Sequence, residues 1–246
     1  MTMIAVDLSQ LPAPKLVEEL SFEQIYQEIL DDLSTFDPDL LTAIQESGES
    51  DPAAKLLQVA AYREMVLRQR INTAGVANML AYASGEDLDN LVAGEPYSVK
   101  RLVIDPGNAE AIPPVDPSLE SDEELRRRAQ LSPSRFSTAG PDEAYIFHAL
   151  SADPQVLDAS ATSPEPVQAV VTILSRIGNG EVSATLLDAV RNYFAIQPVR
   201  PMTDEVIVQG AEILEYEIVA ELTLYDGPDQ DVVIQTAQAR VDVYRD

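Results

Sequence analysis

The chain lacks cysteine and tryptophan and contains a single histidine, His148. Without thiols it can form neither a disulfide framework nor a thiolate zinc site. With 5 Phe and no Trp, few of the large side chains that line carbohydrate or nucleotide sites are available. No apolar run approaches the roughly 20 residues that cross a bilayer. The first residues lack the basic region and apolar run of a signal peptide. We therefore expect a soluble product of a reducing cytoplasm.

Positive charge is also scarce. The 16 Lys and Arg stand against 42 Asp and Glu, which gives a formal net charge of −26. Such a field repels phosphate backbones and anionic membrane surfaces, so it argues against nucleic-acid and membrane binding. It favours basic protein partners. The hydrophobic fraction of 46% is ordinary for a globular protein, and 246 residues suffice for one large or two to three small domains.

The order of local patterns predicts an α+β fold. An N-terminal long-helix bundle region should precede a mixed α/β part with a mainly antiparallel sheet. The predicted segments are an extended arm over 1–20, a helical region over 21–95, a proline-rich linker over 96–119, an α+β domain over 120–228, and the start of a further helical region over 229–246, which we expect to be incomplete.

The longest predicted helix begins at Asp51 and Pro52, an N-cap acid followed by proline at the first helical position. The pattern continues to about Ser84, so the helix should be about 45–50 Å long at ~1.5 Å per residue. Its narrow stripe of partly small residues favours a bundle partner over a domain core. The predicted partner-binding residues are Leu56, Ala60, Arg63, Leu67, Arg70, Ile71, Ala74 and Ala81.

The sequence indicates the N-termini of two further helices. Ser21, followed three residues later by Gln24, predicts a capped helix that Asp37-Pro38 ends. Glu120 opens a helix with acids in its first turn and Arg126, Arg127 and Arg128 after them, an order that complements the helix dipole. Because consecutive helical residues point about 100° apart, these arginines should not form a flat phosphate-binding patch.

Strands are predicted over 155–161, 167–174, 203–208 and 212–225. In the second, Val167, Ala169, Val171 and Ile173 should share one face. The last strand alternates most strictly, with apolar residues on one face and Glu215, Glu217 and Glu221 on the other. Such alternation is typical of an antiparallel sheet with one buried face and one face in water.

The glutamate row is the best enzymatic candidate in the sequence. Residues two apart on a strand lie ~6–7 Å from each other, within the window of glycosidase carboxylate pairs. Such a pair also needs one buried acid with a raised pKa and aromatic subsites for the sugar. Because Glu215, Glu217 and Glu221 alternate with the buried face, a solvated strand face is the better interpretation.

Two weaker signals have simple structural interpretations. Gly178-Asn179-Gly180 lies between a strand and a helix, but it lacks the third glycine of a dinucleotide-binding turn and is read as an ordinary turn. His148 has neither a second histidine nor a cysteine to share a transition metal with, so we expect a structural histidine. We expect no catalytic, cofactor or metal site.

Several segments resemble the baseplate assembly protein J family of contractile phage tails and phage-tail-like bacteriocins such as pyocins. They follow the order of that family, span nearly the whole chain, and comprise Val6–Pro14, Ala61–Asn72, Met79–Leu91, Glu120–Leu131, Ser137–Arg176 and Val199–Asp229. Within the segment Ser137–Arg176, the stretch Ala139–Arg176 contributes most to the resemblance.

The resemblance implies a structural, non-enzymatic subunit of a baseplate wedge. Expected partners are a second copy of the chain, a protein I-like wedge subunit, neighbouring wedges, the hub and spike, and sheath-initiating baseplate proteins. The expected location is the tail baseplate of a particle assembled in the bacterial cytoplasm and released on lysis. Two alternatives stay open: a carbohydrate-active enzyme that uses Glu215, Glu217 and Glu221, and an acidic adaptor that binds a basic protein.

Overall fold

The structure is a computed structural model, and it describes residues 8, 11, 12, 14, 18–48, 50–137, 139–196, 199–215, 217, 219, 220, 222 and 229–245. The described helices and strands form an α+β fold, as the sequence predicts. The chain divides into two compact units, Met1–Glu212 and Ile213–Asp246. The segment boundaries drawn from the sequence stay predictions.

Three N-terminal helices form the first layer: α1 over Phe22–Phe36, α2 over Pro38–Ser47 and α3 over Pro52–Ala77. The Ser21 side chain caps α1, and Asp51 caps α3, as predicted. Asp37 ends α1, but Pro38 also begins α2, whose first turn the Asp37 carboxylate caps. That second helix was not predicted. Both short helices pack on α3, which places Ile25 and Ile44 in the interior.

The prediction that α3 continues to Ser84 is wrong, because the helix ends at Ala77. At ~1.5 Å per residue its 26 residues span about 39 Å. The chain then turns and enters α4, Gly85–Ala93. The Arg126 guanidinium stabilises this turn, donating to the carbonyls of Leu80 at 2.7 Å and Ala83 at 2.8 Å. These carbonyls therefore bond to a side chain rather than continue the helix.

The residues predicted as a linker contain a two-stranded antiparallel ladder. Strand β1, Val103–Asp105, pairs with β2, Ser118–Leu119, and a further bridge joins Asn108 to Val115. Gly107 lies between them with φ of +68°, and a side chain there would collide with the Val115 carbonyl. The segment therefore holds three antiparallel residue pairings, two between β1 and β2 and one between Asn108 and Val115.

The remaining elements of the first unit surround a three-stranded sheet. They are α5 over Asp122–Leu131, a 3₁₀ turn over Ser132–Phe136, α6 over Asp142–Ala152, β3 over Val156–Thr162, β4 over Gln168–Ser175, α7 over Ala184–Ala195 and β5 over Glu205–Gly210. Strand β4 is central: it pairs antiparallel with β3 and parallel with β5. The parallel pairing is possible because α7 carries the chain across between β4 and β5.

One face of the sheet closes the main core. Ala169, Val171 and Ile173 of β4 are buried, as predicted, together with Leu125 of α5 and Phe194 of α7. Leu88 and Val92 of α4 belong to the same cluster, so this helix packs with the sheet layer. Val167 differs from its prediction. It is exposed in the turn before β4 with φ of +72°.

The second unit contains α8, Gln230–Arg245, where the sequence predicts a helical pattern. The predicted strand over 212–225 is not found: its described residues lie in neither helix nor strand. Leu214, Val219 and Leu222 are exposed. Tyr216, Ile218, Glu221 and residues 223–225 lie outside the described residues.

Candidate partner-binding surface

The outer face of α3 carries exposed apolar side chains that no other element of the described residues covers. Its residues are Leu56, Val59, Ala60, Arg63, Val66, Leu67, Arg70, Ile71 and Ala74, and all are exposed. Leu56 is 71% exposed and Leu67 is 58% exposed. Contiguous exposed apolar surface of this kind marks interaction sites in soluble proteins.

Helical geometry explains why this face is open. Ala54, Ala61 and Asn72 lie on the opposite side of α3 and are buried. The Asn72 side chain bonds the backbone of Glu18 in both directions, at 3.1 and 2.9 Å. The helices α1 and α2 and the described part of the N-terminal arm thus contact one side of α3 and leave the outer face in solvent.

Seven of the eight predicted partner-binding residues lie on this outer face. The exception, Ala81, lies in the turn after α3 and is half-buried, so it does not continue the stripe. The structure adds Val59 and Val66 to the face. Their signal was present in the sequence, since Val59 lies three residues after Leu56 and Val66 seven after Val59.

The arginines of α3 divide between two environments. Arg68 lies on the side towards α1 and pairs with Glu28 at 3.1 Å and with Glu64 one turn earlier. The hydrogen bond that Arg68 donates to the Glu64 carboxylate contributes most to raising the pKa of Arg68. Arg63 and Arg70 lie on the outer face and make no hydrogen bond or ion pair with any described residue.

The three consecutive arginines of α5 are all engaged within the chain. Arg126 donates to backbone carbonyls of the turn after α3. Arg127 pairs with Asp158 at 2.6 Å, and Arg128 with the buried Glu120. They point in different directions, as the helical spacing predicts, and form no common anion-binding patch.

His148 is buried among aromatic rings rather than placed at a surface. Phe147, Tyr193 and Phe194 surround its ring. Burial lowers the pKa of His148, and Nε2 has no hydrogen-bond partner among the described residues. No group of three metal-ligating side chains occurs in the described part of the chain. A neutral core histidine is the role that this environment supports.

A cleft of about 390 Å³ opens between the start of α6 and the adjoining ends of β3 and β4. The Tyr145 hydroxyl donates to the Asp204 carboxylate in its wall. Burial, followed by this bond, raises the pKa of Tyr145, so the hydroxyl stays protonated and acts as a donor. The pair joins α6 to the residue before β5.

The glutamate row does not form a site among the described residues. Glu215 and Glu217 are exposed on irregular backbone, and Glu221 lies outside the described residues. Gly178-Asn179-Gly180 forms a turn in which the Ser175 amide donates to the Gly180 carbonyl at 3.0 Å, and Ser183 then caps α7. The turn agrees with the interpretation given above. Glu215 and Glu217 are exposed to solvent, as expected, but they lie on irregular backbone rather than on a strand face.

Comparison with known proteins decides the family. Residues 49–108 match the Baseplate J-like N-terminal domain, and residues 137–210 match the Baseplate J-like central domain. The baseplate protein J of Escherichia phage P2 is 44% identical over 245 residues, covering 98% of this chain and 80% of the phage protein. This chain belongs to the Baseplate J-like family.

The two matched regions divide the first unit in a way that bears on the candidate surface. The N-terminal match contains α3, α4 and β1, whereas the central match contains α6 to β5. The outer face of α3 thus lies within the Baseplate J-like N-terminal domain. None of the helices in the described ranges is long and apolar enough to cross a membrane.

Proposed function

We propose that the chain is a structural subunit of a phage-tail baseplate that assembles through the outer face of α3. The exposure of that face is the observation that carries the proposal. Leu56, Leu67 and Ile71 each leave more than half of their surface in water, at 71%, 58% and 55%. Packing against another helix would remove this area from water and stabilise the assembly by roughly 25 cal/mol per Å² of apolar surface.

We further propose in which particle the chain is assembled and with which subunits. In this proposal, the chain enters the baseplate wedge of a contractile tail or tail-like particle with a second copy of itself and a protein I-like subunit, and the wedges ring the hub and spike. Such a particle is assembled in the bacterial cytoplasm and released on lysis. Support comes from family membership and from the sequence segments that resemble protein J.

The proposal assigns the chain no catalytic step. The alternative of a carbohydrate-active enzyme would need two carboxylates held at fixed separation, one of them buried. Glu215 and Glu217 are exposed outside any strand, so the structure offers this alternative no support. The alternative of an acidic adaptor differs in stoichiometry, because charge-driven binding alone fixes no subunit count.

The deciding measurement is the mass, by light scattering, of the chain co-expressed with the products of the neighbouring reading frames. We expect a complex with two copies of this chain and one of a partner. A chain that stays monomeric at every salt concentration would contradict the proposal. So would an assembly whose composition drifts with salt.

Substitution on α3 then tests the surface itself. Leu67→Asp should abolish assembly, since it places a carboxylate in the centre of the apolar face. Gln69→Asp is the matched control, because Gln69 is exposed on the same helix, about 200° around the axis from Leu67. Circular dichroism should show both variants folded. Wild-type assembly of Leu67→Asp would disprove the role of this face.

A further inference from the structure

Arg63 and Arg70, on the outer face of α3, differ from the other described arginines of the first unit. Among the described residues up to Glu212, Arg63 and Arg70 are the arginines with no hydrogen bond, ion pair or ring contact. The others are Arg68, Arg101, Arg126, Arg127, Arg128, Arg135, Arg176, Arg191 and Arg200, and each has at least one such partner.

This absence of partners is notable in so acidic a chain. The whole protein has 42 acids, yet α3 contains one of them, Glu64, and four of the 16 basic residues. Glu64 lies at the edge of the outer face, where Arg68 binds it. No acidic residue belongs to the face itself. Two guanidinium groups are therefore available to a partner that brings carboxylates.

We infer that the outer face of α3 binds an amphipathic helix whose apolar stripe is flanked by acidic residues, and that it does not bind α3 of a second copy. The inference rests on the proposed function and specifies the chemistry of the partner. Arg63 and Arg70 are seven residues apart, two helical turns or about 10.5 Å along the axis. The partner should therefore carry its carboxylates at the same seven-residue spacing.

Repulsion between arginines opposes the pairing of two α3 helices in both the parallel and the antiparallel orientation. In a parallel pair Arg63 would face Arg63 and Arg70 would face Arg70. In an antiparallel pair centred near Met65, each Arg63 would lie three residues, or about 4.5 Å along the axis, from Arg70 of the second copy. Neither arrangement brings a free carboxylate, since Glu64 is bound to Arg68. Burying unpaired charges of one sign opposes association, whereas opposite charges flanking an apolar stripe select the partner.

Designed peptides test the inference against the full chain. Two helical peptides of equal length should share a leucine stripe and differ in their flanking residues, one with Glu at seven-residue spacing and the other with Lys. A third peptide should reproduce residues 50–78 of this chain. Fluorescence anisotropy at low and high salt measures their affinities. We expect the Glu peptide to bind at least about tenfold more tightly than the other two and to weaken with salt.

Matched variants connect that preference to the two arginines. Arg70→Gln and Gln69→Glu each lower the net charge by one on adjacent residues of α3, but only Arg70 belongs to the outer face. The first should lose most of the preference for the Glu peptide, and the second should keep it. Arg70→Glu should shift the preference towards the Lys peptide. Intact preference in Arg70→Gln would overturn the inference.

The remaining outcomes are equally decisive. Binding of the 50–78 peptide as tightly as the Glu peptide would show that the face accepts its own copy. Failure of the Glu peptide to bind would also overturn the inference. If the co-expressed assembly nevertheless forms and Leu67→Asp still abolishes it, the proposed function survives and only the acidic partner is wrong.

Discussion

Arg128 and Glu120 form a buried ion pair with two parallel hydrogen bonds. The Nε of Arg128 donates to one carboxylate oxygen at 2.6 Å and an Nη to the other at 2.7 Å. The same guanidinium reaches the Lys100 carbonyl at 2.7 Å, and the Leu102 amide donates to Glu120 at 3.0 Å. The side chains are 5% and 3% exposed. The pair therefore joins the backbone before β1 to α5 through a fully bonded network.

Removal of one partner from this pair should be strongly destabilising. Arg128→Met leaves the Glu120 carboxylate buried without its cation, which typically costs about 3–5 kcal/mol of unfolding free energy. The double variant Arg128→Met with Glu120→Gln should recover part of the loss, because no charge is then left buried. Urea unfolding of the wild type, both single variants and the double variant measures the coupling. Simple additivity of the single losses would contradict the account.

The three arginines of α5 allow a second test within a single helix turn. Arg126 donates two bonds to carbonyls of the turn after α3, whereas Arg127 pairs with Asp158 at an exposed position. Arg126→Met should cost about 2–3 kcal/mol, since it leaves two carbonyls without a charged donor. Arg127→Met should cost less than about 1 kcal/mol.

Hydrogen exchange locates the effect of the Arg126 substitution. Amides of residues 78–84 should exchange faster in Arg126→Met than in Arg127→Met, because the turn loses the donor that fixes its carbonyls. Equal exchange in the two variants would mean that the turn holds its shape without Arg126. In that case α3 would end at Ala77 for a reason local to its own sequence.

Features with local signals were predictable from the sequence. Ser21 and Asp51 cap helices that begin where the side-chain pattern places them. Strands β3 and β4 lie within one residue of their predicted positions, and in β4 the alternation with one buried face is visible within the strand itself. The outer face of α3 was predictable for the same reason, since its stripe repeats along one helix.

Features that depend on distant residues were not predictable. Arg126, which bonds the turn after α3, lies 46 residues from Leu80 in the sequence, so no local pattern indicates this contact. The buried pair of Glu120 and Arg128 looked like two ordinary charges of an amphipathic helix. The parallel pairing of β5 depends on where α7 returns the chain. Periodicity also predicted a strand over 212–225 that the described residues do not form.

His148 gives the last prediction, a pH dependence of stability. Burial, together with the charge of Arg135, lowers the pKa of His148 below its ordinary value of 6.5, against the opposing effect of a hydrogen bond to the Arg135 backbone. Its nearest polar side chain is Tyr193, whose hydroxyl lies 3.4 Å from Nδ1. Below pH 6.5 the unfolded chain binds the proton more readily than the folded chain does. Stability is therefore complete above pH 6.5 and falls as the pH decreases from there, by at most about 1.4 kcal/mol per pH unit.

Because His148 is the only histidine of the chain, no second imidazole titrates in the same pH range. Asp122 and Glu124 also have lowered pKa values, opposed by their burial and caused by bonds from Gly85 and Ser121 and by the nearby arginines. The stability that these two carboxylates contribute is lost as the pH falls through their ordinary pKa values of 3.8 and 4.5 towards the lowered folded values, which is below the range in which His148 acts. Urea unfolding between pH 7.5 and 5 therefore reports chiefly on His148. His148→Gln should remove most of the decrease in that window while Tyr193→Phe should retain it, and an unchanged slope in His148→Gln would assign the decrease to other groups.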